Sequence, residues 1–359
     1  MQLLDKELPL VSVIVVSLNG KKWLESLFSS IKATDYPKEK LEYIFVDNGS
    51  IDGSVEFAKN MFTSDSRMRI IQNKTNMGWS PANNQGMKIA NGEIIVCISN
   101  DMMVDKSWIR EIVNVMKSND QIGMVQCNSL SMWDRKTPDS GMNYLDKLGY
   151  SYSYAAANKK YEVFFAEGMA FAIKKEVIRK VGVFDDYFFM EYDDMDLSWR
   201  VRLGGYKIFY APAAKVYHAR GGTVGATYFQ RVNNITWYTR NHLATIIKNY
   251  ELKTLFVLMP TILAVEMIKI VYLATVKKNL KLARAAFRGL FEATRDLRVI
   301  LAKRLVVQNF RTVNDSEIFK VMHPFNPFLL RLFLVKQSRS ERLVLHAVPP
   351  IRSISDEKN

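Results

Sequence analysis

Seven consecutive residues, Val11 to Ser17 (VSVIVVS), are β-branched and apolar apart from two serines. A run without polar alternation suits a strand buried on both faces, as in a parallel sheet sandwiched by helices. The polar turn Ser17-Leu18-Asn19-Gly20 follows. Trp23, Leu24, Leu27, Phe28 and Ile31 then recur at helical spacing. The pattern repeats. Tyr43–Val46 ends in Asp47-Asn48-Gly49-Ser50 and is followed by helical spacing at Val55, Ala58 and Phe62. Arg69–Gln72 leads into 73–86, read as a polar loop. Ile94–Ile98 ends in Ser99-Asn100-Asp101, and Trp108, Ile109, Ile112 and Val113 mark another helix. This βαβ series predicts an α/β fold with a mostly parallel sheet. Ligands of such sheets bind at the carboxyl ends of the strands, here Ser17–Asn19, Asp47-Asn48 and Asn100-Asp101.

Residues 128–160, rich in Ser, Tyr, Asn and Lys, read as a surface excursion. Lys207–Tyr210 and Lys215–His218 read as short extended pieces, with a Gly-rich loop at 219–223. The character changes near residue 226, which predicts a sheet domain over 1–226 and a helical region over 227–359. The apolar stretch 255–276 is interrupted by Pro260, Glu266 and Lys269. Over 277–306 a single basic amphipathic helix is expected, since 277–304 hold nine Lys or Arg against two acids.

The formal net charge of +14 favours anionic partners: nucleotide phosphates, acidic lipid or nucleic acid. The basic residues lie beside an apolar stretch, not on a nucleic-acid-reading motif, so no nucleic acid is expected. Cys97 and Cys127 sit in strand-like runs and read as buried thiols of a reducing compartment. The first residues, MQLLDKELPL, show no secretory signal pattern. The first strand is followed by SLNG. The G-x-G-x-x-G fingerprint of dinucleotide binding is absent, and so is a Walker A sequence.

The segment FFMEYDDMDLSWR, 188–200, places Glu191, Asp193, Asp194 and Asp196 between an aromatic cluster and a helical pattern. Four carboxylates in six residues repel one another, and such crowding is kept where a metal, a substrate or a mobile proton uses it. Individually, Asp47-Asn48 could be a turn and helix cap, and His218 a structural histidine. Together, Asp101 and His218 offer a carboxylate and an imidazole at strand ends, a donor set for Mn²⁺ or Mg²⁺ with diphosphate and water completing the sphere. A separate carboxylate could take a proton from an attacking hydroxyl.

These pieces resemble, in order, the inverting family 2 glycosyltransferases of GT-A fold, and among them the rhamnosyltransferase-like branch. The resemblance rests on VSVIVVSLNG, IFVDNGSIDGS, NKTNMGWSPANNQGMKIANGEIIVCISND, FFAEGMAFAIKK with the acidic segment through YHARGGT, and more loosely RNHLATIIKNY, covering about 10–250. It implies a Rossmann-like nucleotide-diphospho-sugar transferase sheet. Ser17, Asn19, Asp47 and Asn48 would line the nucleotide pocket, and Asn76, Gly78, Asn84 and Asn100 would face the nucleotide-sugar. Asp101 would match the metal aspartate of the D-x-D element and His218 the later metal ligand. Asp194, with Asp193 as second choice, would be the general base, supported by Glu167, Asp196 and Arg200. Two positions depart from the pattern: Ser99 replaces the first acid of D-x-D, and the usual Glu-Asp pair reads Asp-Asp.

The implied reaction moves one sugar from a UDP-, dTDP- or GDP-sugar to a glycan or lipid-linked hydroxyl by single displacement. No Q-x-x-R-W element of processive synthases is present. The chain is expected at the cytoplasmic side of the cell membrane, peripheral or single-span, with an oligomer possible. A degenerate binding protein of the same fold is the competing expectation, suggested by Ser99.

Overall fold

A computed structural model describes residues 8–63, 65–154, 158–219, 228–324 and 344–345, with the side chains of 228–231 and 344–345 left out. The first strand, β1 (Val11–Ser17), is fully buried. Its alternate side chains feed two cores. Val11, Val13 and Val15 meet Leu24, Leu27 and Phe28 of α1 (Lys21–Lys32), together with Ala58 of α2 (Ser54–Met61) and Trp108 of α4 (Trp108–Lys117). Ile14 and Val16 meet Ala82 and Met87 of α3 (Trp79–Ile89) on the opposite face. Burial on both faces is why this strand shows no polar alternation.

β1 pairs in parallel with β2 (Leu41–Asp47) and β4 (Ile94–Ser99), and β2 in parallel with β3 (Met68–Gln72). Register sets Ser17 opposite Asp47, Asp47 opposite Gln72, and Val16 opposite Ser99, so the polar strand ends form one row. Among the described residues the sheet continues as β10 (Ala170–Lys174), β6 (Ile122–Ser131), β11 (Lys207–His218) and β5 (Met102–Val104), with β9 (Tyr161–Glu162) paired to β11. β10 runs antiparallel to both β4 and β6, and β11 parallel to β6. The fold is therefore the mixed α/β, mostly parallel sheet that was expected.

Four expectations are corrected. The pieces at 207–210 and 215–218 are one strand, irregular in register between Ala211 and Lys215. The polar loop at 73–86 is helical from Trp79, where α3 begins, because Ser80, Asn83 and Asn84 are buried and hydrogen-bonded and do not face water. The excursion at 128–160 is largely core: β7 (Met142–Leu145) and β8 (Ser151–Tyr154) form a hairpin, with Tyr144, Tyr150, Tyr152 and Tyr154 buried. Tyrosine misleads as a surface marker, since its ring packs while its hydroxyl needs only one partner. Tyr144 donates to the Glu162 carbonyl at 2.7 Å and Tyr152 to Asp146 at 2.8 Å.

Fourth, the single basic helix over 277–306 is two helices, α9 (Leu280–Arg295) and α10 (Leu297–Phe310), broken at Asp296, which closes the first and starts the second. The boundary near 226 and most of the loop at 219–223 lie outside the described residues. Beyond them, α7 (Tyr228–Asn249), α8 (Leu252–Thr275), α9, α10 and α11 (Asp315–Lys320) contribute Leu243, Ile246, Ile262, Ala293, Ile300 and Ile318 to the core shared with α5 (Lys175–Val181) and α6 (Asp193–Leu203). The helical region is thus packed onto the sheet domain. Trp199 of α6 is fully buried, edge-on to Phe164 at 5.5 Å and to Tyr250 at 4.7 Å. Both cysteines are free and buried, as read from the sequence.

Candidate active site at the carboxyl ends of the strands

The β1–α1 and β2–α2 loops are cross-tied. The Asn19 amide donates to Ser50 Oγ at 2.8 Å, the Ile51 amide to Asn19 Oδ1 at 2.9 Å, and the Asn48 amide to the Ser17 carbonyl at 2.7 Å. Asn19 takes a left-handed φ of 50°, which asparagine tolerates better than most residues. Asn100 Nδ2 donates to Ser17 Oγ at 3.0 Å, and a Cβ on Gly20 would stand 1.7 Å from that nitrogen, so α1 starts hard against Asn100. Asp47 is fully buried, and one of its oxygens accepts from the Gly49 and Ser50 amides. The other is buried without a hydrogen-bond partner among the described residues, a loss of about 1–3 kcal/mol that a donor on a ligand would offset.

Asn48, Asn76, Gly78 and Asn84 are placed differently. Asn48 Nδ2 donates to Asn76 Oδ1 at 2.9 Å and to the Gly78 carbonyl at 3.1 Å, while its oxygen accepts from the Met77 amide at 3.0 Å. Asn48 and Asn76 thus shape the 73–78 loop. Gly78 has φ 94°, and a Cβ there would meet the Phe189 carbonyl at 2.6 Å. Asn84 Nδ2 donates to the Phe184 carbonyl at 2.9 Å. These residues hold the loop and α3 against the acidic segment.

Asp101 and His218 do converge. Register places His218 beside Met102, and Asp101 Oδ2 lies 3.4 Å from His218 Nε2. On the far side of the ring, Nδ1 is 2.9 Å from Asp139 Oδ2. A neutral ring donating Nδ1–H to Asp139 presents its Nε2 lone pair to Asp101. Two electron-pair donors so close require a proton or a cation between them. Ligands about 2.1 Å from an octahedral ion and at right angles to each other are about 3 Å apart, so the pair fits a divalent ion. Among the described residues no third His, Cys, Asp or Glu joins them as a ligand, and further ligands would come from diphosphate and water. Ser99, in place of an acid, donates its hydroxyl to Asp101 Oδ1 at 2.8 Å. Burial pushes the Asp101 carboxyl upward, but with a proton on His218 Nε2 the ring and this hydroxyl both donate to it, outweigh burial and hold it below the usual carboxylate range. Asp139 was missed by sequence reasoning, because it lay in the segment taken for a surface excursion.

The acidic segment reaches the same end of the sheet. The Ser99 amide donates to the Met169 carbonyl at 2.9 Å, and the neighbouring Gly168 amide donates to Asp194 Oδ2 at 3.0 Å. Asp194 is half-buried, whereas Asp193 is buried and receives the Ser80 hydroxyl at 2.7 Å. Both carboxyls are pushed above the ordinary range, chiefly by burial. The neighbouring Asp194 charge adds to Asp193, and Glu167 and Glu191 add to Asp194, whose carboxyl lies at about 6. Asp194 is thus the more exposed of the two, while the Ser80 hydroxyl occupies Asp193.

Glu191 and Tyr192, directly before α6, have φ of 70° and 66°. Two consecutive left-handed non-glycine residues persist only where the surroundings dictate them. α7 does so: Asn241 Nδ2 donates to the Met190 carbonyl at 2.9 Å and the Glu191 carbonyl at 2.7 Å. Tyr192 hydroxyl donates to the Gly149 carbonyl at 2.7 Å. Asp196 and Arg200 are bound into the fold at the start of α6. Asp196 is fully buried and accepts from Arg200 Nε at 2.9 Å and Lys248 Nζ at 2.8 Å. Arg200 also donates to the Val181 and Val183 carbonyls.

Known proteins match on both sequence and shape. Residues 12–182 match Glycosyl transferase family 2. A poly-β-1,6-N-acetyl-D-glucosamine synthase of Staphylococcus epidermidis is 24% identical over 226 residues, 62% of this chain and 53% of that protein. The chain thus spans about half the length of this relative. Among solved structures, GalNAc-T7 with UDP, GalNAc and Mn²⁺ superposes with TM-score 0.57 at 15% identity, covering 68% of this chain and 48% of the other. The mannosyltransferase PcManGT of Pyrobaculum calidifontis, in complex with GDP-Man and Mn²⁺, superposes with TM-score 0.53 at 18% identity, covering 85% and 87%. Residues 12–182 are thus similar to glycosyl transferase family 2, on a fold shared with these solved GT-A transferases.

Proposed function

We propose that the chain transfers one sugar from a nucleotide-diphosphate sugar to a hydroxyl of a glycan or lipid-linked acceptor, with inversion and with Asp194 as general base. The observation that carries this reading is the position of Asp194. A half-buried carboxylate of raised proton affinity is held by the Gly168 amide at the sheet end that also carries the Asp101–His218 pair. The base would seat against the unfilled oxygen of Asp47 and the Ser17–Asn100 wall. Asp101 and His218 would hold Mn²⁺ or Mg²⁺, which when bound supplies positive charge to the departing diphosphate. Asp139 fixes the ring orientation of His218. Asp194 takes the acceptor proton as the oxygen attacks the anomeric carbon from the face opposite the nucleotide. Ser99 stands where D-x-D has its first acid, and since its hydroxyl donates to Asp101 Oδ1, the metal would rest on Asp101 Oδ2 and His218. The acceptor class fits work at the cytoplasmic face of the cell membrane.

A thermal-shift screen of UDP-, GDP- and dTDP-sugars, each with and without Mn²⁺, tests the reading. One donor raises Tm, more strongly with metal. Hexosyl, N-acetylhexosaminyl and rhamnosyl donors of the stabilising base then identify the sugar by turnover. If no nucleotide shifts Tm under any condition, the reading fails. Two further outcomes are expected. Asp139→Ala leaves the fold intact but requires roughly 10–100-fold more Mn²⁺ for half-maximal rate. And because the base works only when ionised, kcat/KM falls as pH drops through about 6, about tenfold per unit below it, a limb that a stopped assay between pH 4.5 and 8 resolves.

A further inference from the structure

We infer that the outer face of α8, with the exposed basic residues that follow it, is a docking surface for an anionic lipid bilayer, with α8 lying in the plane of the interface and not crossing it. The inference rests on the reading above only for the acceptor's location. α8 is 24 residues long and apolar enough to cross a membrane. Its packing argues otherwise. Leu255, Ile262 and Glu266 are buried at helical spacing along one stripe, joined by partly buried Leu258, Met259 and Val265. Glu266 is fully buried: it accepts from the Tyr150 hydroxyl at 3.0 Å, lies 3.1 Å from His242 Nδ1, and pairs with Lys269. Lys269 also donates to Thr239 Oγ1 at 3.1 Å. A helix sealed along one face to a polar cluster of α7 and the β7–β8 hairpin cannot be ringed by lipid.

Among the described residues the opposite face has no packing partner. Phe256, Val257, Ile268 and Val271 are between 51% and 75% exposed, and on neighbouring α9 Phe287 and Phe291 are 55% and 59% exposed. Apolar surface of this extent marks an interaction site. Charge names the occupant. Lys277 and Lys278 follow α8, and Arg284 and Arg288 stand beside the two exposed phenylalanines of α9; all four are exposed. The acids of this region turn inward, Glu266 to His242 and Glu292 to Arg240 and Arg288. A face that is apolar and positive complements acidic headgroups over acyl chains. Two copies of it would oppose like charges, which disfavours self-association through this surface. Insertion to about 5–10 Å would leave the sheet domain in water. The docked helix is tied to the site: His242, bonded to Glu266, follows Asn241, which holds the loop before Asp193.

The test is flotation of the full chain with phosphatidylcholine vesicles and with 7:3 phosphatidylcholine–phosphatidylglycerol vesicles. The chain should float with the anionic vesicles far more than with the neutral ones. Phe256→Asp with Val257→Asp, and separately Lys277→Glu with Arg284→Glu, should each weaken binding roughly tenfold or more. Alkaline carbonate should release the chain. An unchanged Tm and circular dichroism spectrum in both variants, measured without donor, show that they fold, and separate this inference from the transferase reading. No flotation with anionic vesicles, flotation untouched by both pairs, or carbonate resistance would overturn it. So would light scattering showing that these substitutions instead break a dimer, which would make a second copy the occupant.

Discussion

Asp194→Asn is expected to lower kcat by about 10²–10⁴-fold, the usual contribution of a positioned general base, while leaving donor affinity nearly unchanged. The amide keeps the size of the side chain and can still accept the Gly168 amide through its oxygen. It cannot accept a proton from the acceptor hydroxyl. Stopped assays of transfer, alongside the Mn²⁺-dependent thermal shift, separate the two effects. A variant that binds donor but does not transfer supports the assignment. If Asp194→Asn transfers at the normal rate while Asp193→Asn does not, the base is Asp193, and the Ser80 bond to it is broken during turnover. If both variants transfer normally, the acidic segment is structural and the mechanism is wrong. The pH profile gives an independent check, since the acid limb near pH 6 should vanish with the carboxylate that causes it.

The largest stability effect is expected at Asp196. This carboxylate is fully buried, pairs with Arg200 on its own helix, and joins α6 to α7 through Lys248 and Asn249. Asp196→Ala leaves the Arg200 and Lys248 charges buried with fewer partners. Removing one member of a buried pair costs about 3–5 kcal/mol, because the remaining charge stays desolvated. Lys248 keeps its pairing with Asp185, and Arg200 its two carbonyls, which places the expected loss toward the lower end of that range. Denaturant or thermal unfolding measures it. Glu317→Ala, which breaks the exposed pair with Lys320, serves as the control and should cost under about 1 kcal/mol. Equal losses from the two variants would refute the claim that Asp196 anchors α7 to the acidic helix.

The parallel strands were legible because burial on both faces forces an unbroken β-branched pattern, and the polar residues after each strand could only be at its carboxyl end. Asp101, His218 and the acidic segment were legible as chemistry because carboxylates and imidazole are scarce in such positions. Asp139 and α3 were not legible. Their polar residues satisfy one another inside the fold, and a buried, partnered asparagine or aspartate has the same letter as an exposed one. The tyrosines of β7 and β8 misled for a related reason, since one hydroxyl bond suffices to bury the ring.

Nor could sequence spacing divide the roles of Asp193 and Asp194. They are neighbours in the chain, and only the packing of Ser80 on one and of the Gly168 amide on the other tells them apart. The same holds for α8. Its composition fixed a long apolar helix, as hydrophobicity and length are properties of the chain itself. Whether that helix is surrounded by lipid or sealed on one side depends on where Glu266 points, and this was decided by His242 and Tyr150, which are 24 and 116 residues away along the chain. Periodicity and residue chemistry therefore determined the sheet, the polar row at its strand ends and the candidate groups. Partnership across long sequence separations, which no local pattern encodes, was decided by the tertiary structure alone.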